Sequence, residues 1–171
     1  INAISVLNKI LEDKTQEPMV RHEAAEALGA IGFEESIPIL EKYAKDPVIE
    51  VAETCNIAID RIKWLQRKDK EHLSTNPYSS VDPAPPSSLQ SIETLKSILL
   101  DESAPLFERY RAMFSLRNDG SKEAIEALGC GLKLGKSALF RHEVAFVMGQ
   151  LQDPNSIPFL KESLANHDEN E

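Results

Sequence analysis

Apolar residues recur at helical spacing along most of this chain. Ile4, Leu7 and Leu11 fall at i, i+3 and i+7, and Leu95, Ile98 and Leu99 line one face in the same way. The spacing predicts short amphipathic helices over Ala3–Leu11, Ile37–Ala44, Ile92–Leu100, Lys122–Leu132 and Ile157–Leu164. Longer helices alternate with them, over 20–31 and 140–151, Pro47 to Ile62, and Pro105 to Arg117. Proline suits a first helical turn, because its φ is already set and its missing N–H would have no partner there. Each longer helix is therefore expected to begin at a proline or a small residue. Ser36-Ile37-Pro38 and Ser156-Ile157-Pro158 open two of the short helices, with the serines placed to cap. No segment alternates with period two, so no strand is expected.

The chain also repeats itself. Residues 20–31 read Val-Arg-His-Glu-Ala-Ala-Glu-Ala-Leu-Gly-Ala-Ile, and residues 140–151 read Phe-Arg-His-Glu-Val-Ala-Phe-Val-Met-Gly-Gln-Leu. A weaker copy carries Arg109-Tyr110-Arg111 where these carry Arg-His-Glu. The unit is helix, turn, helix, of roughly 30 residues, and neither helix alone can bury its apolar stripe, so stacked neighbours must supply the core. These features predict an all-α fold, a HEAT-like α-solenoid. Arg67 to Ser91 interrupts it with Pro77, Pro83, Pro85 and Pro86 among serines and charges, a composition that favours an extended or disordered connector. The expected organisation is thus amino-terminal repeats over 1–66, a Pro/Ser-rich connector over 67–91 and carboxy-terminal repeats over 92–171. With one strong copy in each part, the two parts read as pseudo-symmetric halves.

Composition narrows the partners. The net charge of −9 argues against nucleic acid, whose phosphates need clustered Lys and Arg, and a cationic partner suits the field better. Apolar residues make up 42% and charged residues 27% of the 171, but no run reaches the length of a bilayer span. Cys55 and Cys130 lie far apart in helical patterns, which reads as buried reduced thiols in a cytosolic protein. The opening Ile1-Asn2-Ala3 carries no methionine and no cap, and reads as the middle of a longer chain.

His22-Glu23 and His142-Glu143 are the residues that look chemical. Imidazole with carboxylate, leaving positions open, is the ligand set of non-haem iron that handles oxygen. One helix cannot supply a full site, whereas matched helices facing each other could. A zinc protease pattern fails, because Glu26 and Phe146 stand where a second histidine would be needed. Glu26 shares a face with His22, but its counterpart Phe146 is apolar. His72 in the connector and His167 in the tail read as solvated. Arg21 and Arg141 could orient a carboxylate or pair on the surface, the latter being favoured. Gly29 and Gly149 recur inside helices and suggest close packing. Two other functions fit a repeat fold: a protein-binding scaffold in which the His-Glu pairs are structural, and a lyase-like repeat protein that holds a chromophore.

Three stretches resemble the deoxyhypusine hydroxylase family: Met19 to Gly32, Leu139 to Glu143, and Leu106 to Phe114. Asp46 to Cys55 and Ser80 to Pro86 are similar to it as well, so the resemblance runs along essentially the whole chain. It implies a di-iron monooxygenase that uses O₂ to hydroxylate deoxyhypusine, an aminobutyl-extended lysine on a translation elongation/initiation factor, in the cytoplasm. It implies that His22 and Glu23 ligate one iron and His142 the other. Glu143 would hold the cationic amine of the substrate, with direct iron ligation as the competing role. Family members carry four His-Glu helices, and two occur here. Partial or no iron occupancy, no turnover by the chain alone, and self-association through exposed apolar flanks are the corresponding expectations.

Overall fold

A computed structural model describes residues 2–67, 73–88, 90–167 and 169. The helices are α1 (Asn2–Glu12), α2 (Pro18–Ile31), α3 (Ile37–Tyr43), α4 (Ile49–Leu65), α5 (Ile92–Leu100), α6 (Leu106–Asp119), α7 (Lys122–Leu134), α8 (Ala138–Leu151) and α9 (Ile157–Leu164). Among the described residues the nearest thing to a strand is a single antiparallel bridge, Leu73 with Ser88. By contact density the chain forms two compact units, Ile1–Lys70 with Val81–Ala84, and Glu71–Ser80 with Pro85–Glu171.

In the first unit α2 lies between α1 and α4, and α3 packs on α4. Leu11, Leu28, Leu40, Val51, Cys55 and Ile62 are fully buried there. Each such aliphatic residue contributes about 1.5–3 kcal/mol by leaving water. Burial also pushes the Cys55 thiol up to about 12, so it packs as a small apolar side chain. Cys130, in contrast, is only half-buried. The second unit stacks α5, α6, α7 and α8 in neighbouring pairs, with α9 on α7. Its central helix, α6, is enclosed on every side, down to Arg109, Arg111 and Arg117.

Helix starts depart from expectation at four places. Pro18 is the first residue of α2, but Pro105 precedes α6 as its cap residue, and α4 starts two residues after Pro47. There the Asp46 carboxylate accepts from the Val48 N–H (3.0 Å), which completes a turn before the helix begins. Ser36 and Ser156 do not cap with their side chains. Both have helical rather than extended backbone and end a single 3₁₀ turn, and neither hydroxyl makes a cap hydrogen bond. Asp153 does the capping ahead of α9, accepting from the Asn155 N–H.

The proline-rich stretch alternates exposed residues with docked ones where it is described. Pro85, Pro86 and Ser87 are buried. The Ser87 N–H donates to Ser115 Oγ (2.8 Å), and Arg111 donates to the Pro86 carbonyl (3.3 Å). The Arg117 guanidinium stacks 4.8 Å from the Tyr78 ring, and Asn118 donates to Ser74 Oγ (3.0 Å). Acceptors and donors on α6 thus partner the backbone at Ser87 and Pro86. His72 lies outside the described residues.

Candidate metal centre

The arginine in front of each His-Glu pair sets the helix in place. Arg21 is 3% exposed, so it is no surface residue. Its Nε donates to the Leu11 carbonyl at the end of α1 (3.1 Å), and its other nitrogens grip Asp46 at 2.6 and 3.3 Å. That guanidinium holds the Asp46 carboxyl below the usual range, helped by the Val48 N–H. Arg109 repeats the device, donating to the Leu99 carbonyl (3.0 Å) and pairing with Glu102 (2.7 Å). Arg141 donates to the carbonyls of Gly135 and Lys136, and its Nε pairs with Glu169 (2.8 Å). The arginines are staples between successive helices, a role that sequence spacing did not suggest.

On α2 the staple delivers His22 and Glu23 together. His22 is 4% exposed, whereas the Glu23 side chain is 63% exposed. Nε2 of His22 lies 3.5 Å from Oε1 of Glu23. Nδ1 lies 3.4 Å from the Thr54 hydroxyl on α4, which spends its own hydrogen on the Glu50 carbonyl (2.8 Å). The Thr54 hydroxyl thus ties one ring nitrogen to α4, while Nε2 lies beside Glu23. Such an outer partner is what orients metal-binding imidazoles. Two ligands about 2.1 Å from one ion would stand about 3.0–3.4 Å apart, so the pair fits a divalent cation such as iron in spacing and donor type. Met19 adds its Sδ 3.1 Å from Nε2. Glu26, one turn on, has its carboxyl raised by burial and by Glu23, with Arg61 opposing.

α8 carries the second pair with the exposure reversed. Ser137 caps the helix by accepting from the Phe140 N–H (3.0 Å). His142 is exposed and Glu143 is buried at 8%. Phe146 and Gly149 continue the open stripe of His142. A Cβ on Gly149 would meet nothing within 4 Å, whereas one on Gly29 would lie 2.8 Å from the Ala58 Cβ. The expectation of close packing holds for Gly29 and fails for Gly149, because α4 covers the stripe of α2 that α8 leaves bare. The third copy has no pair at all. Tyr110 is buried with its hydroxyl on the Leu139 carbonyl (3.4 Å), and Arg111 serves the connector. Among the described residues no three His, Cys, Asp or Glu side chains gather as one ligand set. Thr54 and Met19 escaped the sequence reading, since neither lies in a motif.

Models of two repeat families match the chain: HEAT repeats over residues 2–59, and the PBS lyase HEAT-like repeat over 140–166. Together with the helix pairs, this makes the chain a HEAT-repeat protein. Along nearly its whole length it is, further, similar to proteins named deoxyhypusine hydroxylase. The deoxyhypusine hydroxylase of Drosophila melanogaster is 61% identical over 170 residues, 99% of this chain and 56% of that protein. The Homo sapiens protein of that name is 57% identical over 168 residues, 98% of this chain and 55% of the relative. The solved structure of human deoxyhypusine hydroxylase in complex with glycerol superposes with a TM-score of 0.89 at 55% identity, covering 99% of this chain and 58% of that one. The chain thus spans about half the length of the curated relatives it matches. No described helix is long and apolar enough to cross a membrane.

Proposed function

We propose that this chain contributes His22, Glu23, His142 and Glu143 to a di-iron monooxygenase that hydroxylates deoxyhypusine to hypusine on a translation elongation/initiation factor. The observation that carries the reading is the His22 ring, held through Nδ1 by Thr54 so that Nε2 meets a carboxylate oxygen at 3.5 Å. A purely structural His-Glu pair would need no such orientation. Iron, two ions per complete site, would supply the activation of O₂. His22 and Glu23 would ligate one ion and His142 the other. Glu143, buried and acidic, suits the cationic amine of the substrate through a charge-assisted hydrogen bond, or takes a direct ligand position. The acidic net charge of −9 agrees with a cationic side chain and not with nucleic acid. Two free cysteines agree with a reducing cytoplasm.

The test is a chimera in which this chain replaces the matching 168 residues of the human relative. The chimera should hold iron and add one oxygen to a deoxyhypusine-bearing factor, read by mass. Substituting His22→Ala or His142→Ala should remove iron and turnover together. Full turnover by either variant would overturn the assignment.

A further inference from the structure

The proposed ligand set leaves one acidic residue of α2 unused. Glu26 lies four residues after His22, and side chains at i and i+4 of a helix stand about 5–6 Å apart at Cβ. That spacing lets one helix hold one ion with two ligands, as the paired histidines of zinc proteases do. Yet Glu26 joins no group of three ligating side chains among the described residues. What faces it is Arg61 of α4. Thr54, Ala58 and Arg61 fall at i, i+4 and i+7 and so share one face of that helix. Thr54 lies against His22, and a Cβ on Gly29 would lie 2.8 Å from that of Ala58, so this face runs along α2. The Glu26 carboxyl is raised by burial first and then by Glu23, and the Arg61 charge opposes both. Burial lowers Arg61 itself, with Asp82 and then Glu26 opposing; Asp82 lies in Val81–Ala84, which belongs to the same unit.

Given the metal role proposed for His22 and Glu23, we propose that Arg61 is a positioning residue that keeps Glu26 out of their ion's ligand set. Arg61 makes a poor structural residue, because its Nε is buried without a hydrogen-bond partner, which costs stability. Its charge is what an apolar side chain of the same length would lack. A half-buried carboxylate needs a cation nearby, and two cations compete for Glu26. Arg61 holds it from the side of α4, and a divalent ion at His22 and Glu23 draws it the other way. With Arg61 in place the ion keeps one more position open, as chemistry with oxygen requires. Without it, Glu26 turns onto the ion as a third protein ligand. α8 needs no such restraint, because Phe146 stands where α2 has Glu26.

Calorimetric titration of the chain with cobalt(II), a substitute for iron, tests this. Arg61→Met should bind cobalt about tenfold more tightly than the unaltered chain, since a ligand is gained. Arg61→Lys, which keeps the charge, should bind as the unaltered chain does. Glu26→Gln in the Arg61→Met background should cancel the gain, because an amide is a weaker ligand than a carboxylate. Loss of packing alone would weaken binding in Arg61→Met and never tighten it. Arg61→Gln gives the same comparison if Arg61→Met does not fold. No gain on removing the Arg61 charge, or a gain that survives Glu26→Gln, overturns the proposal. His22→Ala in the Arg61→Met background separates the two assignments. A gain that persists there tells against His22 as a ligand and leaves the restraint on Glu26 standing.

Discussion

α2 and α8 share the words Arg-His-Glu, yet they present them oppositely. α2 buries its histidine and exposes its glutamate, and α8 does the reverse. The difference lies in the neighbours. α4 lays Thr54 and Ala58 along the stripe of His22 and Gly29, and nothing described lies within 4 Å of the same position at Gly149. Sequence register therefore fixes where a side chain leaves its helix, and the next helix decides what medium it meets. The environment matters for metal affinity too, because an imidazole held at its far nitrogen binds better than one free to turn.

The staples should show the largest contrast. Arg21→Ala strands Asp46 in a place where both side chains are at most 4% exposed, which should cost about 3–5 kcal/mol in chemical denaturation. Arg141→Ala breaks a pair that is 17% and 22% exposed and should cost about 1 kcal/mol. Equal losses would mean that burial does not separate the two helices. The same pair predicts a pH effect. The Asp46 carboxyl is held below its ordinary value of 3.8, so its stabilisation is complete above about pH 5 and fades as pH falls through the lowered value. Asp46→Asn should flatten the acid side of the stability curve.

A smaller effect should change sign between the helices. Gly29→Ala puts a methyl 2.8 Å from Ala58 Cβ and 2.9 Å from its Cα, and should destabilise by about 1–3 kcal/mol. Gly149→Ala meets nothing and should stabilise by about 1 kcal/mol through helix propensity. Thermal melts of the two variants would decide this, and a loss in both would show that α8 is covered in solution. The smallest contrast is at the helix ends. Gly32 closes α2 at φ 79°, and Gln152 closes α8 at φ 50° with a side chain that resists this conformation. Gln152→Gly should gain about 0.5–1 kcal/mol.

Much of the architecture could be read in advance. The limits of α5 and α9 coincide with their apolar periods, because Ile92, Leu95, Leu99 and Ile157, Leu164 leave no ambiguity about where the stripe runs. The His-Glu pairs also stood out by recurrence. What stayed hidden depends on contacts between distant residues. Nothing local to Arg21 names the Leu11 carbonyl or Asp46 as its partners. Prolines 85 and 86 look like linker residues until the arginines of α6 are placed beside them. Thr54 lies 32 residues from the ring it orients and belongs to no pattern.

The docking of the connector on α6 has a consequence for synthesis. Ser74, Tyr78 and Ser87 leave the ribosome before Arg111, Arg117 and Asn118, the groups that hold them. The Ser87 N–H has its partners on α6, so it stays open to water for the interval that translation of α5 and α6 takes. Amide protection at Ser87 should then appear together with that of α6, in one step.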